Sequence, residues 1–169
     1  ENKLTNPEQF SQSYNLEMND FEKEVIDLNF DKSVINELDK SISSSKNPDV
    51  YNLLAILAGT PYANTFAYLI NPLEVLLSKK ELELYHATAD NQQIKIIDDQ
   101  IEDKRKQLYD GIKTIQEKLN RREVNLNDRI QESEKKFVDL PTKEIEYARL
   151  NRLYSINEKF YTLLLDKKA

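Results

Sequence analysis

The sequence predicts an all-α fold, a long antiparallel helical hairpin or coiled coil with a small N-terminal helical cap. Three observations support this prediction. The 169 residues are 32% charged and 39% hydrophobic and include only two glycines, a composition typical of long helices. All five prolines stand where a helix is expected to begin, four of them directly after Asn or Thr, which are effective capping residues. From Ile94 to Phe137, apolar residues recur at nearly the spacing of an ideal helix.

Residues 1–68 are predicted to form the irregular helical cap. Apolar residues at helical spacing indicate one helix over about 7–28 and another over 33–42. Two short apolar stretches follow, "DVYNLLAILAG" at 49–59 and "PYANTFAYLI" at 61–70, and both are expected to be small helices. The glycine that closes the first stretch is suited to end its helix, because glycine readily adopts the left-handed conformation found after a helix C-terminus.

Residues 69–169 are predicted to form the long helical hairpin. A first helix is expected from Pro72 to Ala87, and "ADNQQ" after it indicates a kink or a restart near Asp90. The long helix that follows carries one apolar stripe: Ile94, Ile97, Ile101, Leu108, Ile112, Ile115, Leu119, Leu126, Ile130 and Phe137. Such a helix cannot bury its stripe against itself, so it needs a partner. The nearest candidates in sequence are 72–87 and 141–168.

The last predicted helix is apolar on more than one face. One stripe consists of Ile145, Ala148, Ile156, Phe160 and Leu163, and the other of Leu150, Tyr154, Tyr161 and Leu164. An ordinary surface helix shows a single apolar stripe. The last helix is therefore expected to bury more of its circumference than an ordinary surface helix.

The composition argues against several classes of function. The net charge is −6, and the basic clusters at 104–106 and 121–122 stand among acids, which argues against a nucleic-acid partner. A single histidine, His86, and the absence of cysteine leave no residue set typical of a zinc site. The two glycines, Gly59 and Gly111, cannot form a phosphate-binding loop. We therefore expect no catalytic residue, no cofactor and no metal in this segment.

The final helix carries an ordered series of residues that resembles a family signature. In "LPTKEIEYARLNRLYSINEKFYTLLLDKK" a proline is followed by a glutamate, by Leu-x-Arg, and then by a tyrosine, two leucines and a lysine. These residues are Pro141, Glu144, Leu150, Arg152, Tyr161, Leu163, Leu164 and Lys167. The series resembles the signature that closes the periplasmic region of polysaccharide co-polymerases, the chain-length determinant (Wzz-like) proteins. It looks most like the subgroup associated with tyrosine autokinases of exopolysaccharide and capsule export.

The resemblance covers about 69–168. The stretch that begins "LEVLLSKKELELYHATADNQQ" is similar to the family's helix, turn and long helix. The family often has a proline near 92–93, which this chain lacks, so the break near Asp90 is expected to be softer. The resemblance says little about residues 1–67.

The resemblance implies a place and a role for the segment. It implies an inner-membrane parent with a membrane span on each side, a periplasmic location for this segment, and assembly of several copies into a ring. The ring would regulate the chain length and export of an extracellular or capsular polysaccharide. Polysaccharide polymerase, the outer-membrane export channel and glycan are the further partners implied. Any tyrosine kinase activity would belong to a cytoplasmic domain outside this chain.

The resemblance implies that one stripe of the last helix packs on the long helix and that the other meets a neighbouring protomer. The alternative is that the small helices over 51–70 cover both stripes within one chain. The signature residues would then contribute to contacts between protomers, with Glu144 and Arg152 as candidates for ion pairs between helices or subunits. Because the chain starts at Glu1 and stops at "DKKA", we expect it to be a segment of a longer protein. The alternative is a structural coiled-coil or adaptor protein that bridges partners and has no role in polysaccharide export. A membrane span on each side of this segment in the parent would discriminate the first hypothesis from the second.

Overall fold

The computed structural model describes residues 7–44, 48–86, 91–136 and 142–168. These residues contain five helices and no strand, so the predicted all-α class is confirmed. The helices are α1 (Pro7–Ser43), α2 (Val50–Leu57), α3 (Ala63–His86), α4 (Gln92–Lys136) and α5 (Thr142–Lys168).

Helix α1 is longer than the sequence analysis predicted. It runs without a break from Pro7 to Ser43, so the prediction of two separate helices in this region is wrong. The residues between the two predicted helices, 29–32, include neither glycine nor proline, so their helix propensities are only moderately unfavourable. Leu28 and Val34 on either side of them are buried, and this packing sustains the helix.

Helix α2 is limited at both ends by local geometry. The Asp49 side chain caps its N-terminus and accepts hydrogen bonds from the backbone N–H groups of Tyr51 and Asn52. Gly59, just past the C-terminal end, has φ of 73°. This conformation favours glycine over any residue with a Cβ, and it confirms the predicted role of Gly59 in ending the helix.

Pro72 does not begin a helix, as the sequence analysis expected, but lies inside α3. The helix continues through it because Phe66, Ile70 and Leu73, which flank the proline, are buried. Their packing offsets the loss of one backbone hydrogen bond at the proline.

The chain divides into two compact units. Unit 1 combines residues 1–31 with 119–169, and unit 2 is the continuous stretch 32–118. The predicted boundary between 68 and 69 falls inside α3. In unit 2 the buried apolar side chains come from all four helices that it includes: Val34, Ile35, Leu38, Ile42, Val50, Leu53, Ile56, Leu57, Phe66, Ile70, Leu73, Ile94, Ile97, Ile101, Leu108 and Ile112. In unit 1 they come from α1 and α4: Tyr14, Met18, Phe21, Ile26, Leu28, Leu119 and Leu126.

The apolar stripe predicted for the long helix is the buried face of α4. Among its described members, seven are buried and Ile115 and Ile130 are partly buried, while Phe137 lies outside the described residues. The predicted kink near Asp90 also lies outside them.

Two helices pair with α4 in unit 2. The Lys80 ammonium of α3 lies 2.6 Å from the Asp98 carboxylate of α4, and Gly111 lies against Phe66, so α3 and α4 are antiparallel. The pairing with 72–87 that the sequence suggested is thus observed over the described part. The C-terminal end of α1 also packs here, since Arg105 donates a hydrogen bond to the Ile42 carbonyl in the last turn of α1.

In unit 1 it is again α1 that runs along α4. Arg129 on α4 forms two hydrogen bonds, of 2.8 and 3.1 Å, to the Glu24 carboxylate, and Arg122 lies 3.7 Å from Asp31. The order of these pairs makes α1 and α4 antiparallel. Residues assigned to a cap in the sequence analysis therefore supply a main partner of the long helix.

Candidate functional site

The eight signature residues differ in their placement. Pro141 lies outside the described residues, and Glu144 and Lys167 are in α5 with side chains that are not described. Leu163 and Leu164 are partly buried. Of the remaining three, Leu150 and Tyr161 are exposed, whereas the Arg152 side chain is mostly buried in contact with α1 and α4.

Helix α5 presents an exposed apolar face, which we call the outer face and define as Leu150, Leu153, Tyr154, Tyr161 and Leu165. These side chains are 50–70% exposed. Apart from Leu164, which is partly buried, the second predicted stripe is thus exposed in this chain. Single exposed apolar residues are common, but several on one helix face are a candidate interaction surface.

The opposite face of α5 packs on unit 1 mainly through polar contacts. None of its side chains described, those of 149–166, is buried, although Ile156, Phe160 and Leu163 of the first stripe are partly buried. Arg152, Ser155 and Lys159 are spaced three and four residues apart, so they line one side of the helix. All three bind partners on α1 or α4.

The centre of these contacts is Glu22, a carboxylate on α1 that is only 7% exposed. Its Oε1 atom accepts hydrogen bonds from Ser155 Oγ at 2.6 Å and from Lys159 Nζ at 2.9 Å. A buried carboxylate is costly unless it is paired and hydrogen-bonded, and here both partners come from α5. The docking of α5 therefore supplies the hydrogen bonds and the positive charge that the buried Glu22 carboxylate needs.

The electrostatic environment keeps Glu22 ionised. Burial alone would raise the pKa of this carboxyl, but the hydrogen bonds from Ser155 and Lys159 and the positive charges of Lys159 and Arg152 outweigh burial. The pKa of Glu22 is consequently lower than its ordinary value of 4.5.

Arg152 joins all three helices of unit 1. Its Nη2 atom donates to the Tyr14 hydroxyl of α1 at 3.2 Å and lies 3.4 Å from Oε1 of Glu134 on α4. The guanidinium also stacks over the Tyr14 ring, 5.5 Å from the centroid. We call Tyr14, Glu22, Glu134, Arg152, Ser155 and Lys159 the polar cluster.

An open groove with a volume of about 490 Å³ lies between α1 and α5 over the polar cluster. Its lining includes Asn15, Asn19 and Asn151, which are exposed, and the buried Met18. The ionisable groups that reach it, Glu22 among them, are bound to one another. The groove therefore presents amide groups to solvent, and its one hydroxyl–carboxylate pair, Ser155 with Glu22, is also held by Lys159.

The sequence predicts a role for Arg152 in an ion pair but does not reveal its partners. Glu22 follows Met18 and Phe21 on the buried face of α1, and a polar residue at such a position signals a buried pair. Ser133 was missed as well, although it continues the seven-residue spacing of Leu119 and Leu126 and is 1% exposed.

Neither the metal-ligating residue types and helix hydrophobicity nor comparison with known proteins assigns a function to the described residues. The described residues contain no group of three His, Cys, Asp or Glu side chains placed to hold a metal ion. Within the same residues, every helix is too short or too polar to cross a membrane. The chain matches no protein-family model, and no curated protein and no solved structure shows significant similarity to it.

Proposed function

We propose that this chain is the periplasmic helical segment of an inner-membrane polysaccharide co-polymerase. In this role copies of the parent protein assemble side by side and regulate the chain length and export of an extracellular or capsular polysaccharide. The segment itself is non-enzymatic and acts through its surfaces.

Two features support the proposal. The first is the ordered series from Pro141 to Lys167, which resembles the family signature. The second carries the most weight: α5, the helix that bears the signature, exposes its outer face while its other face packs on α1 and α4. Leu150 and Tyr161, both signature residues, are 61% and 64% exposed. An interface between copies would give these side chains a partner.

The proposal is tested on the full-length parent protein in detergent. We expect a discrete assembly of several copies, and we expect Leu150→Glu and Tyr161→Glu to reduce it to smaller species. Both side chains are exposed, so neither substitution should unfold the protomer. Leu16→Glu on α1 is the matched control for Leu150→Glu, because Leu16 is 67% exposed and lies off the outer face.

The native mass, measured by light scattering, decides between the hypotheses. A parent without a membrane span on each side, or one that is monomeric with and without the substitutions, would contradict the proposal. Such a result would favour the structural coiled-coil or adaptor protein. If the mass falls only in the two α5 variants, analysis of the polysaccharide chain length in cells that carry them tests the second half of the proposal.

A further inference from the structure

Helix α5 is held differently from the other helices of unit 1. Helices α1 and α4 bury Met18, Phe21, Leu119 and Leu126 among other apolar residues. In contrast, no side chain described in α5 is buried. Apolar burial is the main source of helix stability in proteins, so the part of α5 whose side chains are described, 149–166, draws less stability from that source than α1 and α4 do.

The interface beneath α5 is also incompletely filled. A half-open cleft with a volume of about 350 Å³ lies between α1, α4 and α5, and Phe21, Val25, Ile130 and Ile156 are among its lining residues. Protein cores are normally packed to the density of organic crystals. The cleft therefore marks a contact at which α5 lies against its neighbours without the close packing of a core.

The polar cluster, rather than apolar packing, provides the specific contacts that hold α5 against its neighbours. Arg152, Ser155 and Lys159 account for the cross-helix hydrogen bonds described between α5 and its neighbours. Polar contacts of this kind can be exchanged for contacts with water at a modest net cost, unlike the burial of a large apolar side chain. The contacts between α1 and α4, including Glu24 with Arg129, do not involve α5.

We propose that α5 can detach as a unit from α1 and α4 while those two helices remain packed on each other. The polar cluster holds α5 in its docked position. Undocking uncovers a second apolar face on α5, that of Ile156, Phe160 and Leu163, in addition to the outer face. The inference does not rest on the proposed function, since it is tested on this chain alone.

Amide hydrogen exchange of the chain at neutral pH tests the separate opening. We expect the amides of α5 to exchange through a local opening, well before those of α1 and α4 in unit 1. Glu22→Gln should speed exchange in α5 by about tenfold or more, because it weakens charge-assisted hydrogen bonds at a buried position. Lys159→Met is a second variant at an exposed side chain, and it should act on α5 in the same direction.

Glu24→Gln is the matched control. Glu24 is the same residue type two positions away on α1, but it binds Arg129 of α4. We expect this substitution to act on α1 and α4, which Glu24 joins, and not to speed the local exchange of α5 as Glu22→Gln does. Three results would overturn the proposal: exchange of all three helices in a single step, no protection of α5 in the unaltered chain, or no effect of Glu22→Gln on α5.

Distances between spin labels provide a second measurement. The chain has no cysteine, so labels can be attached at chosen sites only. A pair at Asn19→Cys and Asn157→Cys reports on α1 and α5, and a pair at Asp27→Cys and Asn125→Cys reports on α1 and α4. All four positions are exposed. We expect Glu22→Gln to add a second, longer distance for the first pair and to leave the second pair with one distance; a single unchanged distance for both pairs would exclude the detachment of α5.

Discussion

At the scale of single residues, Ser133 is a polar side chain in the otherwise apolar buried face of α4. Its side chain is 1% exposed, and its Oγ atom has no hydrogen-bond partner among the described residues. Ser133→Ala removes an unsatisfied buried hydroxyl and places the best helix former in the helix. We expect the free energy of unfolding to rise by about 1 kcal/mol.

Ser155 is the matched control for that substitution. It is also a serine within a helix, but its hydroxyl donates to Glu22. Ser155→Ala should lower the free energy of unfolding by about 1 kcal/mol. Chemical denaturation followed by circular dichroism measures both changes, and equal effects of the two substitutions would contradict this account of the hydroxyls.

Replacing each of the two glycines with alanine should change the stability of the protein in opposite directions. A Cβ at Gly111 would meet Phe66 Cε1 at 3.4 Å, an ordinary contact distance, so Gly111→Ala should stabilise α4 by up to about 1 kcal/mol through helix propensity. Gly59 has φ of 73°, where a Cβ is strained, so Gly59→Ala should destabilise by about 1 kcal/mol. Thermal unfolding of both variants checks the signs; a loss of stability at Gly111 would show that α3 and α4 cannot accommodate the added methyl group.

At the scale of helices, the docking of α5 should depend on pH through Glu22. The groups around this carboxylate are Arg152, Ser155 and Lys159 on α5, Tyr14 on α1 and Glu134 on α4, which binds Arg152. The folded pKa of Glu22 is lower than 4.5, so undocking binds a proton as the pH falls. The docked state is therefore fully stabilised above pH 4.5 and loses this contribution as the pH falls through the folded pKa.

Amide exchange in acid, corrected for the intrinsic rate at each pH, measures this dependence. Protection of α5 should fall below pH 4.5, and it should fall less in Glu22→Gln, which has no carboxyl to titrate. Glu24 also has a lowered pKa, through its hydrogen bond to Arg129, so the α1–α4 contact weakens in acid too. The difference between α5 and α4 is therefore the informative quantity, and a constant difference across the titration would contradict the role of Glu22.

The sequence predicts a helix well where the signal is local and periodic, and poorly where packing between distant residues decides the structure. The stripe of α4 is local and periodic, and the predicted burial is observed from Ile94 to Leu126 except at Ile115, which is partly buried. The continuity of α1 and the passage of α3 through Pro72 depend on packing against other helices, which outweighs local propensity. The polar cluster is harder still, because Glu22 and Ser155 are far apart in sequence and no spacing rule pairs them.

At the scale of the whole chain, the two units differ in continuity and in core. Unit 2, residues 32–118, is one continuous stretch with buried apolar residues on each of its helices, whereas unit 1 joins two distant stretches. We expect the fragment 32–118 to fold alone into a helical structure with a cooperative thermal transition, since its core lies entirely within it.

The fragment 1–87, of equal length, is the matched control for this experiment. It keeps α1, α2 and α3 but lacks α4, whose Ile97, Leu108 and Ile112 are buried in unit 2. We expect it to be less helical and to melt without a cooperative transition, because the apolar faces of its helices lose their common partner. Circular dichroism with thermal melting compares the two fragments. If 32–118 is unfolded, or melts no more cooperatively than 1–87, the core of unit 2 is not sufficient by itself to fold this fragment.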